Sequence, residues 1–164
     1  MGREHLKRLA APKSWQISRK RSKFITKPSA GPHNKNSSIP ISTLLKEILN
    51  YATTTKEVKK IMNNNEIKID GNVRRDFRFP IGIFDTISFK SIKENFRVIL
   101  NTKGKLGIIK ISEDESSLKP CKIIGKKMIK GKQQLNLYDG KNLSEGGNSY
   151  QSGDTILLSL PEQK

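Results

Sequence analysis

The chain has 164 residues, with 32 Lys and Arg against 15 Asp and Glu, a net charge of +17 and a pI near 10.1. Such a balance points to a polyanionic partner, nucleic acid first, while 34% hydrophobic residues and a mean hydropathy of −0.60 imply that part of the chain lacks a core of its own. No stretch approaches the ~20 apolar residues of a membrane span, no apolar leader opens the chain, and the single cysteine, Cys121, excludes an internal disulfide, so a soluble, intracellular protein of one large or two small domains is expected.

Residues 1–36 carry Arg3, Lys7, Arg8, Lys13, Arg19, Lys20, Arg21, Lys23, Lys27 and Lys35 against Glu4 alone, which is net +9 of the +17. Pro12, Pro28 and Pro32 punctuate the segment. With so little to bury, it is expected to be unfolded in the free protein and to order on a polyphosphate. Trp15 and Phe24 either stack on unpaired bases or fill an apolar gap against the rest of the chain. His5 and His33 have no Cys, Asp or second His at ligand spacing, so no metal site is predicted.

Ile41, Leu44, Leu45, Ile48 and Leu49 recur at i, i+3, i+4, i+7 and i+8, the stripe of an amphipathic helix. Ser38 is the expected cap, with Pro40 in the first turn. Thr54 and Glu57 form a capping box for a second helix with Val58, Ile61 and Met62 inward and Lys56, Lys59 and Lys60 outward. The run Asn63-Asn64-Asn65 supplies a left-handed closure. The period then falls to two at Ile67 and Ile69, and Asp70-Gly71 marks a hairpin. Its return strand, residues 72–76, carries Arg74 and Arg75, with Arg78 close behind; a guanidinium pairs bidentately with phosphate, although a solvated hairpin face would look the same.

Two helices, a strand, an Asp-Gly turn and further strands over residues 39–89 resemble the alpha-L RNA-binding domain shared by a small-subunit ribosomal protein, several pseudouridine synthases and tyrosyl-tRNA synthetases. The resemblance implies RNA-backbone contacts at Thr54, Thr55, Lys56, Lys59, Lys60, Arg74 and Arg75. Asn65 stands where the family usually has Gly, and Thr53 where many members have Arg.

Beyond residue 92, residues 96–100 and 106–111 read as strands around Thr102-Lys103-Gly104-Lys105, and residues 122–124 as another. Residues 134–138 lead into a second hairpin signal, Asp139-Gly140, and residues 154–160 close the region; Asp154-Thr155 echoes Asp85-Thr86 as a turn-to-strand entry. Lys119 and Lys122 flank Cys121 and would lower a thiol pKa if it were exposed; a buried structural thiol is the other reading.

No enzyme constellation assembles. Residues 125–133 have one residue too many between the glycines, and Gln133 where a phosphate-binding loop needs Ser or Thr, so they read as a basic turn. Glu113-Asp114-Glu115 reads as a solvated acidic loop. No catalytic residue, cofactor or small-molecule substrate is expected.

His5 to Trp15 (HLKRLAAPKSW), Gly31-Pro32-His33, Ser38-Ile39-Pro40, Val73-Arg74-Arg75-Asp76 and Phe79-Pro80-Ile81-Gly82 together resemble the four-e family of the archaeal and eukaryotic small ribosomal subunit. That resemblance implies an α+β protein in three parts: a basic rRNA-binding extension (1–36), an alpha-L domain (38–91) and a mostly antiparallel β domain (92–164). The family's usual C-terminal small-barrel module is expected to be absent, since residues 161–164 follow the last strand directly. It further implies rRNA contacts by Arg3, His5, Lys7, Arg8, Lys13, Trp15, Arg19, Lys20, Arg21, Lys23, Lys27 and His33 in the extension and by Arg78 after the hairpin. The expected role is that of a cytoplasmic structural component present once per ribosome, bound to small-subunit rRNA and neighbouring ribosomal proteins, with no membrane partner. The alternatives are a component of an RNA-modifying enzyme or a ribosome-associated RNA-binding factor with the same domain.

Overall fold

The computed structural model describes residues 5–64, 66–129, 131–144 and 150–160, and in it the basic N-terminal segment is folded. Strand β1 (Leu6–Lys7) pairs antiparallel with β2 (Phe24–Ile25), and a 3-10 turn over Arg8–Ala10 follows β1. Leu6, Ala11 and Trp15 join the main apolar core. Trp15 is only 1% exposed, and its indole N–H donates to the Ser38 carbonyl over 2.7 Å. The expectation of an unfolded tail is thus corrected: a low average hydropathy hides three well-spaced apolar anchors, and Arg8 and Arg19 tie down the carbonyls of Ser18 and of Leu9, Ala11 and Pro12.

Strand β3 (Ser38–Pro40) leads into helix α1, which runs as an α-turn over Ile41–Thr43 and widens to a π-turn over Leu44–Ile48. The expected Ser38 cap is not made. Pro40 holds the N-cap position at φ −69°, ψ 144°, and the Ser38 hydroxyl donates to Asn34 O instead. Ile41, Leu44 and Leu45 are buried, with Ile48 and Leu49 packed against them. Helix α2 (Thr55–Asn63) carries the capping box as read: Thr54 Oγ1 accepts from Glu57 N, and Glu57 accepts from Thr54 N. Asn64 caps its end at φ −72°, and Asn65, the last residue of the run expected to close the helix, lies outside the described residues; Asn50, after α1, is left-handed at φ 55°.

Strands β4 (Ile67–Ile69) and β5 (Asn72–Val73) form the predicted hairpin, with Asp70 and Gly71 both left-handed as a type I′ turn requires. Because β5 stops at Val73, Arg74 and Arg75 lie past the strand rather than on it. Strand β6 (Pro80–Gly82) pairs with β3, setting buried Ile81 opposite Ile39. Strands β7 (Thr86–Phe89), β8 (Glu94–Leu100) and β9 (Leu106–Ile111) complete an antiparallel sheet ordered β5-β4-β7-β8-β9. Strands β8 and β9, which the sequence reading assigns to the third region, therefore extend the sheet that the helices cover.

A single turn, α3 (Glu113–Ser116), capped by Ser112, replaces the expected acidic loop, its carboxylates falling in the first turn where they face the positive end of the backbone dipole. The second sheet is ordered β12-β11-β10-β13, from β10 (Leu118–Ile129), β11 (Lys132–Leu137), β12 (Asn142–Leu143) and β13 (Thr155–Ser159). Its small core is Cys121, Ile123, Leu135, Leu137 and Leu158. The Asp85/Asp154 echo has a structural basis, since Asp85 accepts from Gly82 N at 2.8 Å and Asp154 from Gln151 N at 2.7 Å, the same three-residue loop before a strand. No helix among the described residues is long and apolar enough to cross a membrane.

Buried charges join the two sheets. The Lys119 ammonium on β10 contacts Asp70 and Asp85 at 2.5 Å each and Asp139 at 3.1 Å, and Lys141 reaches Asp70 and Asp139 at 3.1 and 3.2 Å. Asp70 and Asp139 head the two Asp-Gly turns. Burial alone would pull Lys119 down, but Asp85 and Asp70 outweigh it and hold the ammonium well above the ordinary lysine range. Burial would likewise raise Asp85 and Asp139; His33 and Lys119 at the first, Lys119 and Lys141 at the second, keep both carboxyls below their ordinary value.

Candidate nucleic-acid interface

The side chains that the sequence suggests for RNA contact divide into structural and presented groups. Arg8 is 5% exposed; its guanidinium donates to Ser18 O, Ser22 Oγ and Glu47 Oε1. Arg19 donates to the carbonyls of Leu9, Ala11 and Pro12. His33 packs its ring on Gly82, where no Cβ would fit, with Nε2 3.0 Å from Asp85. Trp15 is sealed in the core. Arg8, Trp15 and His33 thus have their side chains taken up inside the fold, while half-buried Arg19 is held on carbonyls of its own segment. Arg3 lies outside the described residues.

His5, Lys7, Lys13, Lys20, Arg21 and Lys23 remain exposed. Arg21 approaches Glu47 at 3.7 Å with its side chain 67% exposed, an arrangement that costs little to exchange for a phosphate. Where the tail crosses α1 and the start of α2 it leaves a groove of about 340 Å³ that brings together His5, Lys27, Thr55, Arg78, Lys46 and Phe77. An adjoining hollow of about 410 Å³ shares Ser22 and Lys46 with it and adds Arg21 and Thr53. Lys46 was not foreseen from sequence, where only the apolar stripe of its helix stands out. Its ammonium donates to Thr55 Oγ1 at 3.2 Å, and burial lowers its pKa against the opposing pull of Glu47.

Beside the groove, α2 shows Lys56, Lys59 and Lys60 to solvent. At the start of this helix Glu57 accepts from Thr53 N and Thr54 N and from both hydroxyls, and the Thr53 backbone bond leads the effects that hold its carboxyl below the usual range. Lys59 sits 5.0 Å above the Phe77 ring and Arg74 4.8 Å above Phe79, so two aromatics two positions apart each hold a cation, one on α2 and one just past the hairpin. Arg74 and Arg75 are exposed; Arg78 is half-buried, its Nε donating to Lys27 O at 3.3 Å. No cluster of His, Cys, Asp and Glu suited to a metal ion occurs among the described residues.

Compared with curated proteins, the chain is 44% identical to the small ribosomal subunit protein eS4 of Methanococcus aeolicus, across 98% of this chain and 69% of that protein. It belongs to the eS4 family. The eS4 protein of Methanosphaera stadtmanae is 45% identical, across 99% of this chain and 67% of the relative. Two family models match, Ribosomal family S4e over residues 92–164 and the RS4NT (NUC023) domain over residues 1–36. The crystal structure of the 30S ribosomal protein S4e from Thermoplasma acidophilum is similar at a TM-score of 0.67 and 27% identity, over 79% of this chain and 67% of that one. The mixed architecture of few helices and antiparallel sheets is thus that of an eS4 protein. Both Asp-Gly turns and the lysines that join them lie within the stretch shared with the eS4 relatives.

Proposed function

We propose that this eS4-family chain is a cytoplasmic structural constituent of the small ribosomal subunit, one copy per particle, that binds small-subunit rRNA by phosphate neutralisation and carries out no chemistry. The observation that carries the reading is identity of 44–45% to archaeal eS4 proteins over nearly the whole chain. Residues 38–91 act as an alpha-L module whose sheet is continued by β8 and β9, residues 1–36 as a basic extension, and the remainder as the β domain. Supporting it, His5, Lys27, Lys46 and Arg78 line one groove, and Lys59 stands over its Phe77 wall, a set of cations that an RNA backbone would follow.

Small subunits isolated from the source cells and washed in high salt test the reading. An integral component remains stoichiometric with the other subunit proteins. Release by the wash would instead mark a ribosome-associated factor.

A further inference from the structure

A chemically different hollow lies against the buried charge cluster, with Lys119 and Asp139 in its lining. It is a mostly apolar cavity of about 250 Å³, with Pro120, Cys121, Ile83 and His33 among its walls and the half-exposed rings of Phe84 (44%) and Tyr138 (46%) at its mouth. We infer that this cavity receives one unstacked base of the rRNA, held against Phe84 and Tyr138. The inference rests on the rRNA-binding role proposed above and adds where, and by which contact, a base is held.

Three observations carry it. Phe84 adopts φ 67°, a left-handed backbone that a bulky aromatic rarely takes. It is held there by its N–H to Val98 O at 2.8 Å and by the Asp85 carboxylate on Gly82 N. A strained loop that turns a phenyl ring toward solvent gains nothing for folding, whereas a ring face presented in advance suits stacking.

Tyr138 leans on the buried His33 ring at 6.1 Å, and His33 is in turn bonded to Asp85, so both rings stand on the same rigid support. The volume suits a single planar ring system, being below the ~300 Å³ at which pockets for drug-sized ligands begin. Exposed Lys122 lies at the same cavity and supplies a cation for the phosphate that must accompany an inserted base. An apolar peptide side chain would use the cavity walls but would leave that cation without purpose.

The test uses the full-length protein and the organism's own small-subunit rRNA. Tyr138→Leu and Phe84→Leu should each weaken binding about 5- to 100-fold while leaving the slope of log affinity against log salt unchanged, since neither removes a charge. Phe84→Gly, which suits the left-handed backbone, separates loss of the ring from loss of fold. In assembled subunits, irradiation at 254 nm should link Tyr138 or Phe84 to a nucleotide. Wild-type affinity in all three variants overturns the inference while the steep salt slope keeps the rRNA-binding reading intact. Crosslinks from these rings to a ribosomal protein alone also overturn it, assigning the cavity to a protein neighbour. Failure of the unsubstituted protein to bind rRNA would remove both.

Discussion

The Nζ of Lys119 on β10 lies 2.5 Å from Oδ1 of Asp85, which stands 34 positions earlier in the loop that enters β7. Removing one partner of a buried pair leaves the others uncompensated, which typically costs about 3–5 kcal/mol. Lys119→Met should therefore lower stability by about that amount, leaving Asp70 and Asp139 with Lys141 and Asp85 with His33. Urea unfolding of the two proteins at neutral pH gives the difference; a loss below about 1 kcal/mol would mean the cluster is dispensable.

The same cluster sets a dependence on acid. Asp85 and Asp139 are held below their ordinary values in the folded protein. Their contribution is complete above the unfolded carboxylate value of about 4 and is lost as pH falls through the lower folded values. Lys119, held high, contributes fully below about pH 10 and loses its contribution only above that. Stability should hence fall steeply below about pH 4, and Asp139→Asn should make that fall shallower. Denaturation midpoints between pH 2 and pH 7 measure both slopes.

Cys121 is buried, and burial together with the Asp139 charge pushes its thiol up to about 12. Its flanking lysines do not activate it. At pH 8 the native protein should react with iodoacetamide at least ~10³-fold more slowly than the same chain in denaturant, as its thiolate fraction dictates. Comparable rates in the two states would place the thiol at the surface.

Trp15 is the chain's one tryptophan and its largest fully buried side chain. Trp15→Ala should cost about 3–5 kcal/mol, and removal of residues 1–36 should abolish cooperative thermal unfolding, because Leu6, Ala11 and the Arg8–Glu47 pair leave with it. Circular dichroism on heating reads the result. A sharp transition in the shortened chain would return the tail to the status of an appendage.

Charge-removing changes at the RNA face should act on salt dependence. Lys56→Gln and Lys60→Gln should each reduce the log–log slope of rRNA binding by about 0.7–0.9. Arg74→Lys keeps the charge and should leave the slope in place, yet lower affinity if its planar guanidinium pairs with phosphate. Filter binding from low to moderate salt separates the two patterns.

Local rules made much of the chain legible. The Thr54–Glu57 box, the Asp70-Gly71 turn and the Leu106–Ile111 strand depend on residues a few positions apart, and each stands in the fold where those residues put it. Where partners are distant, sequence is silent. Trp15 could be assigned to RNA or to a core until Ser38 and Leu106 were seen beside it. Arg8 reads as an rRNA contact and Lys46 carries no signal in the sequence, because Glu47 and Thr55 reach them only after α1 has folded. Asp139 read as a turn former, and it is also a counter-ion to lysines on both sides of the turn.

Strand β9 is the outer strand of the helix-covered sheet, and its free edge begins at Leu106, whose N–H bonds Ser14 O at 2.7 Å. The N-terminal segment therefore does more than fill a core. It occupies the first hydrogen-bonding position of an edge that would otherwise be open to another strand. A chain trimmed of it would offer β9 to its neighbours, so proteolysis of this segment before assembly would favour self-association over incorporation into the particle.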